Sequence, residues 1–397
     1  MTNVLHHCAL SEQPQRRMLH VARLTLANFR SYPRVVVEMS GRPVVLAGPN
    51  GAGKTNLLEA ISLLSPGRGL RGATLGEHTR RAPQPVQPDV LWAVHAMVSR
   101  EGETYEIGTG LAAGPGASEK RQVHLNGAPT QSSADLAEIT RMLWLTPAMD
   151  RLFSDSASGR RRFLDRLVLG FDPAHARRTI RYETAMRERA RLLRLGPRDP
   201  LWLDGLENEM AESGAEIAAA RRATLARLNE ALARREREGA FPSAQLAMVG
   251  DCENLITDAA NGIANALRTE LARARIRDAE SRRTSIGPHT SDLSARHSEK
   301  CMDARDCSTG EQKALLISIV LADAWELAAV RDGEAPILLL DEIAAHLDQR
   351  RRAALCDEIV ALGAQAWLTG TDMQLFENLR CRADIFTVED SRLTLKD

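Results

Sequence analysis

The sequence predicts an α/β fold whose two ends form one unit and whose middle is helical. Three observations predict it. The short apolar run Pro43-Val44-Val45-Leu46-Ala47 gives way to the glycine-rich GPNGAGKT of residues 48–55 and then to the helix-patterned Asn56-Leu57-Leu58-Glu59-Ala60-Ile61. A second apolar run, Ile337-Leu338-Leu339-Leu340, ends in the paired acids Asp341 and Glu342. Between them, residues 151–281 are rich in Arg, Glu, Ala and Leu at helical spacing. Short apolar runs bounded by turn residues are buried strands, whereas long segments with apolar positions three and four apart are helices.

Taken in order, residues 1–17 are polar, lack an apolar h-region and stop just before Met18. They are expected to be a disordered extension or to lie upstream of the true start. Residues 19–28, Val35-Val36-Val37 and 43–47 read as strands. PGRGLRG at 66–72 is a basic, glycine-rich loop. Segments 90–98, 104–109 and 121–126 are expected as antiparallel strands, the last closing on the turn Asn126-Gly127. Ala134 to Met142 reads as a short helix and Leu143-Trp144-Leu145 as a strand. After Pro147 the character changes. Asp172-Pro173 and Asp199-Pro200 each place an acid at a helix cap before a proline in the first turn, and Gly170 and Gly196-Pro197 supply the preceding stops. Between 201 and 236, Leu203, Leu206, Met210, Ile217, Leu225, Leu228 and Leu232 mark one long helix, about 50 Å from end to end. AQLAMV at 244–249 is strand-like, and 254–280 is a second amphipathic helix. One helix out and one back make an arm; an ordinary helical domain is the alternative. Strand patterning resumes over 284–295. It is followed by a helix from Ser308 to about Val330, strand 336–340, helix Leu355 to Leu362, and strands at 365–369, 385–388 and 393–395. The expected division is an extension over 1–17, a discontinuous head over 18–150 and 282–397, and a helical arm over 151–281.

Composition narrows the function classes. A chain of 397 residues, 44% apolar and 26% charged, is long enough for two or three domains with real cores. No apolar run approaches the ~18 residues of a membrane span. The six cysteines are scattered without a C-x-x-C pair, which indicates neither a zinc site nor a disulfide framework and points to the reduced cytoplasm. Zero net charge argues against a uniformly basic DNA-coating protein, but the charge is uneven. Only five of the 52 basic residues are Lys, and residues 151–200 hold thirteen Arg against six acids. That stretch is a candidate nucleic-acid surface, or a solvated helix face in an Arg-biased composition.

The motifs specify the chemistry. Residues 48–55 fit G-x-x-x-x-G-K-[ST] between a strand and a helix, the context a P-loop requires. Gly48, Pro49, Asn50, Gly51, Ala52, Gly53, Lys54, Thr55 and Asn56 are the candidate nucleotide-binding residues. Backbone N–H groups wrap the phosphates, Lys54 reaches the β- and γ-phosphates, and the Thr55 hydroxyl ligates Mg²⁺. The strand 337–340 delivers Asp341 to the metal, and Glu342 orients and deprotonates the attacking water. Lys54 and Glu342 are thus the candidate catalytic residues, and Thr55 and Asp341 the candidate metal residues. Ser308-Thr309-Gly310-Glu311-Gln312 opens a helix 33 residues before Asp341, and such a start offers N–H groups to an anion.

That order of motifs resembles the ATP-binding-cassette (ABC) ATPases. There, STGEQ stands where the family's signature motif falls, Asp348 corresponds to the D-loop, and Thr369 and Thr371 fill the switch position. Pro147 to Asp150 stands where a Q-loop glutamine is usual. The resemblance implies a homodimer joined by ATP, with Ser308, Thr309, Gly310, Glu311 and Gln312 acting on the partner's nucleotide. Within that class the chain resembles the RecF family of bacterial recombination and replication repair proteins over nearly its whole length. The resemblance is carried by LTLANFRSY, GPNGAGKTNLLEAISLLSPGRGLR, WLTPAMDRLFSDSASGRRRFLDRLVL, DPAHARRTIRYETAMRERARLL, SIGPHTSDL, STGEQKALL and LLLDEIAAHLD. Thr290 stands where relatives often have Arg after Gly-Pro-His. Membership implies a weak ATPase whose dimer clamps single-stranded, gapped or stalled-fork DNA and helps recombinase loading with RecO and RecR. Arg68, Arg71, Arg160, Arg161, Arg162 and Arg166 are the candidate DNA contacts, although Arg161 to Arg166 could equally pin the arm to the head. The alternatives are a soluble transport-type ABC ATPase whose arm docks a protein, and a constitutive dimer that uses ATP only for folding.

Overall fold

A computed structural model describes residues 19–81, 90–112, 120–195, 200–235, 239–254 and 260–396. The expected extension over 1–17 and the helix-stop residues Gly196, Pro197 and Asp199 lie outside the described residues. The chain opens with β1 (His20–Phe29), β2 (Tyr32–Glu38), β3 (Val44–Ala47) and α1 (Lys54–Ser62). Then come β4 (Val90–Arg100), β5 (Glu103–Ala112), β6 (Gln122–Leu125), β7 (Ala128–Pro129) and β8 (Met142–Leu145). The middle holds α2 (Ala157–Phe171), α3 (His175–Leu195), α4 (Pro200–Arg235), β9 (Ala244–Val249), α5 (Asp251–Asn254), α6 (Ala260–Arg273) and α7 (Arg275–Ser281). The chain closes with β10 (Asp292–His297), β11 (Met302–Asp303), α8 (Thr309–Val330), β12 (Ile337–Leu340), α9 (Gln349–Leu362), β13 (Ala366–Gly370), β14 (Asp384–Glu389) and β15 (Arg392–Lys396).

Three sheets organise these elements. The first is antiparallel, in the order β2-β1-β4-β5-β6-β7. The second runs β15-β14-β3-β13-β12-β8 and is parallel except for the returning edge strand β15. Its central strands β3, β13 and β12 are buried at every position because both faces are covered. Alternate residues enter different cores, as the strand period of two requires. Val44, Leu46, Ile337, Leu339 and Trp367 pack with α1 and the first sheet, whereas Val45, Leu338, Leu340 and Leu368 pack with α8, α9 and α2. The third sheet, β11-β10-β9, joins a strand of the middle section to one that follows it.

The helical middle has two kinds of packing. α3 and α4 run antiparallel, with Arg178 near Glu216 (3.1 Å) and Arg189 against Glu207 (3.0 Å). Met210, Ala211 and Ile217 of α4 share a small core with Tyr182, Leu267 and Leu271. Farther along the same helix, Leu225, Leu228, Ala231 and Leu232 enter the large core around α8.

Several elements differ from expectation. The second long helix is broken at Ala274 between α6 and α7. Ala274 keeps helical dihedrals; beyond it Arg275 meets Glu207 (2.6 Å) and Asp278 meets the fully buried Arg189 (2.7 Å). Residues 284–291 form turns rather than strand: Gly287 has φ 135°, and the Thr290 N–H donates to the Gly287 carbonyl (2.9 Å). The expected helix before β8 is a single 3₁₀ stretch, Ser133–Glu138. α9 starts six residues before Leu355, because the Asp348 side chain caps it by accepting from the Arg351 N–H (2.8 Å). No helix of the described residues is long and apolar enough to cross a membrane.

Candidate functional site

The parallel strands β3, β13, β12 and β8 end on one edge of the second sheet. Loops beyond the carboxyl ends of such strands are where α/β folds bind ligands. The P-loop leaves β3 there, and the Gly48 N–H donates to the Gly370 carbonyl of β13 (3.2 Å). Two glycines are required by close approach. A Cβ on Gly48 would collide with the Val388 carbonyl, and one on Gly53 (φ 108°) would lie 2.8 Å from the Tyr32 hydroxyl. Tyr32 is itself buried and donates to the Gly53 carbonyl (3.1 Å). From the other side the Ser391 N–H donates to the Ala52 carbonyl (3.1 Å).

Lys54 is buried and donates to the carbonyls of Gly48 (2.6 Å) and Pro49 (2.8 Å). Burial pushes its pKa down, an effect that the nearby charges of Glu342 and Asp341 oppose. An ammonium whose hydrogen bonds go only to carbonyls, beside a glycine cradle that a Cβ would fill, suits an anionic phosphate. The Thr55 hydroxyl donates to Asp341 Oδ1 (2.9 Å), and the Thr369 hydroxyl donates to the same oxygen (2.8 Å). The Thr369 oxygen also accepts from the Glu342 N–H (2.8 Å). The Thr369 hydroxyl on β13, between β3 and β12, thus braces both members of the acidic pair, and Asp341 in turn meets the P-loop helix at Thr55. A hydroxyl and a carboxylate in contact are the hard oxygen donors that Mg²⁺ prefers. Glu342 stands half-buried with φ 51°, a left-handed conformation that costs a non-glycine residue about 1 kcal/mol or more.

Other expected residues are placed as follows. Asn56 points away from the loop: its side chain donates to the Ser31 hydroxyl (2.9 Å) and accepts from Arg71 (3.0 Å). Asp348 is exposed at the start of α9, and Thr371 is exposed just past β13. Sequence reasoning missed Glu59. It is a fully buried residue of the P-loop helix α1, held by Arg30 (2.7 and 2.8 Å) and Arg71 (3.0 Å). Its only local signal was an acid on the apolar face of α1.

Ser308 begins α8 in a capping box, with its N–H and hydroxyl both on Glu311 (3.0 and 2.9 Å). Lys300 also pairs with Glu311. The hydrogen bond from Lys300, then those from Ser308, hold the Glu311 carboxyl down at about 2. Ser308, Thr309 and Gly310 are exposed, and a Cβ on Gly310 would meet nothing. Gln312, expected to face a partner, is instead buried within its own chain. It donates to the Cys307 carbonyl (2.9 Å) and accepts from Ser154 (3.2 Å), because the helix turn carries it to the core face. Lys313 reaches Asp150 (3.3 Å), which fastens this helix start to the segment just after β8. β8 lies three strand positions from β3, about 14 Å away, so one phosphate does not touch both the P-loop and the signature of the same chain.

The candidate arginines divide sharply. Arg160 forms a two-pronged pair with Asp292 (2.7 and 2.9 Å), and Arg161 donates to the Ser291 carbonyl (2.7 Å). Arg166 lies over the Trp144 ring at 3.8 Å and donates to Ser65 and to the Pro66 carbonyl. Arg68, Arg71 and Arg162 are exposed, Arg71 while sharing Glu59.

A P-loop at one strand end, a Walker B pair two strands away and an outward signature helix define the head of an ABC-type ATPase. The family described as RecF/RecN/SMC N terminal domain matches residues 20–394. The DNA replication and repair protein RecF of Rhizobium etli is 48% identical over 374 residues, covering 94% of this chain and 98% of its own. That of Agrobacterium fabrum is 49% identical with the same coverage. A solved structure of the recombination mediator protein RecF-ATP in the RecFOR pathway aligns at TM-score 0.82 and 23% identity, over 99% of this chain and 100% of that one. The chain belongs to the RecF family of DNA replication and repair proteins.

Proposed function

We propose that the chain is a weak ATPase that binds ATP at residues 48–56 and, as an ATP-joined homodimer, clamps gapped or stalled-fork DNA in the cytoplasm. The observation that carries this reading is the pairing of a braced Asp341, in contact with Thr55 and Thr369, with a signature turn displaced sideways across the sheet. Each chain then supplies half of a nucleotide site to its twin. Lys54 binds the phosphates, and Glu342 holds and deprotonates the attacking water. When bound at Thr55 and Asp341, Mg²⁺ would neutralise phosphate charge. The discontinuous head over 18–150 and 282–397 would carry this chemistry, and the section over 151–281 would serve as the arm. A relative described with ATP in the RecFOR pathway supports ATP as the nucleotide and RecO- and RecR-type proteins as partners. DNA would be held by phosphate contacts from the exposed Arg68, Arg71 and Arg162, with little sequence preference.

The test is a duplex-DNA titration at low salt with and without ATP, run beside sedimentation of the wild type and Lys54→Ala. The expected result is DNA binding strengthened by ATP and dimers that need both ATP and Lys54. No DNA binding in either condition would sink the clamp, and dimers indifferent to ATP would favour a constitutive assembly.

A further inference from the structure

α2 carries GRRRFLDR, and the proposed function draws on only one of its residues, Arg162. The rest of the helix grips four different parts of the molecule. Arg160 and Arg161 hold the start of β10 and the residue before it, at Asp292 and the Ser291 carbonyl. Asp165 takes a two-pronged pair from Arg221 of α4 (2.8 and 2.8 Å). Gly170 lies so close to α8 that a Cβ would fall 2.6 Å from a Leu327 methyl. Arg166, next to Asp165, reaches the turn that ends α1, at Ser65 Oγ (3.3 Å) and the Pro66 carbonyl (3.2 Å).

Arg160, Arg189 and Arg221 each meet a carboxylate, whereas Arg161 meets a carbonyl and Arg166 meets a hydroxyl, a carbonyl and the Trp144 ring. Burial disfavours its charge. Its hydrogen bonds go to the turn that follows α1, at Ser65 and Pro66, three and four residues beyond the helix's last residue, Ser62. Arg121 serves the same turn from the opposite side, donating to the carbonyls of Gly67 (2.8 Å) and Leu63. The amino end of α1 is the P-loop itself.

We propose that Arg166 is a positioning residue that couples the inserted helices to the P-loop, by bracing the turn that follows α1 while the adjacent Asp165 holds α2 to Arg221 of α4. A load on α4 then reaches the nucleotide through α2 and α1 without Arg166 touching either ligand. The inference rests on the ATP and DNA reading above.

The experiment compares the full-length wild type, Arg166→Met and Arg166→Lys for affinity toward a fluorescent ATP analogue and for DNA stimulation of ATP turnover. Arg166→Met is expected to bind the analogue nearly as the wild type does yet lose DNA stimulation by about tenfold, within the usual range of coupling between sites. Arg166→Lys, which retains a cation for the carbonyls, is expected to recover part of it. Stimulation of Arg166→Met equal to the wild type would overturn the inference, as would parallel loss of analogue affinity and stimulation, the mark of a merely structural residue. A wild type whose turnover ignores DNA would overturn the underlying reading and the inference with it, and the wild-type arm alone reveals that case. Should Arg166→Met not fold, hydrogen exchange on the wild type decides. ATP is expected to slow exchange in residues 163–168, with no such effect in Lys54→Ala, and exchange unmoved by ATP would overturn the coupling.

Discussion

Gly53 and Asp165 illustrate how single residues carry the site and its support. At Gly53 a Cβ would press on the Tyr32 hydroxyl at 2.8 Å, in a backbone conformation with φ 108° that side chains rarely adopt. Gly53→Ala is therefore expected to weaken nucleotide affinity by at least about tenfold and lower stability by about 1–2 kcal/mol, as read by analogue titration and thermal melting. Asp165 is a pH probe of the arm junction. Burial pushes its carboxyl up, but the charge of Arg221 and hydrogen bonds from His175 and Arg221 outweigh that and hold it at about 2. A carboxyl held low in the folded state stabilises above its unfolded pKa and loses that contribution as pH falls through the folded one. The pair's pH-dependent share is about 2 kcal/mol. Denaturant unfolding from pH 6 to pH 2 should show Asp165→Asn well below the wild type at pH 6, with the gap narrowing toward pH 2. Gly53 was legible as a P-loop glycine but its contact with Tyr32 was not, and Asp165 was not legible beyond residue type. Lys54, Thr55, Asp341 and Glu342 were legible, because each sits in a local pattern whose strand or helix context is written beside it.

The start of α8 behaves as an element with two faces. Its inner face is committed by Gln312 and Lys313 to the segment after β8. Its outer face offers Ser308, Thr309 and Gly310. Because a side chain at Gly310 would meet nothing within its own chain, Gly310→Arg should fold and bind ATP normally. In the proposed ATP-joined dimer the added bulk would stand where the partner's nucleotide approaches, so the variant should nonetheless stay monomeric. Sedimentation with ATP checks this, and a dimer as tight as the wild type would refute the trans assignment. The pattern STGEQ announced a helix start, but not that Glu311 takes the Ser308 N–H and hydroxyl in a capping box or that the fifth residue turns inward. A helix rotates about 100° per residue, and which face meets the core depends on what packs there.

At the scale of the whole molecule, zero net charge leaves DNA affinity to local arginine placement. Binding should fall steeply with salt, the slope of log K against log salt counting the phosphates engaged. Arg68→Ala and Arg162→Ala should each reduce that slope by about 0.9, whereas Arg160→Ala should leave it unchanged and lower thermal stability instead, because its guanidinium is spent on Asp292. A titration series across salt concentrations separates these outcomes.

The sequence by itself determined the order of the motifs and the strand or helix that carries each. A P-loop, a signature helix and a Walker B strand are local patterns whose backbone requirements follow from neighbouring residues. It also determined that 151–281 is largely helical, since apolar spacing reports period directly. Only the tertiary structure decided that β13 carries Thr369 between the P-loop and Asp341, that α4 divides its apolar face between two cores, and that the GRRRFLDR arginines mostly face inward. Those outcomes depend on strand order and on which charges meet across more than a hundred residues of chain, as Arg160 and Asp292 do. A guanidinium reads the same in sequence whether its partner is a carboxylate, a carbonyl or a phosphate.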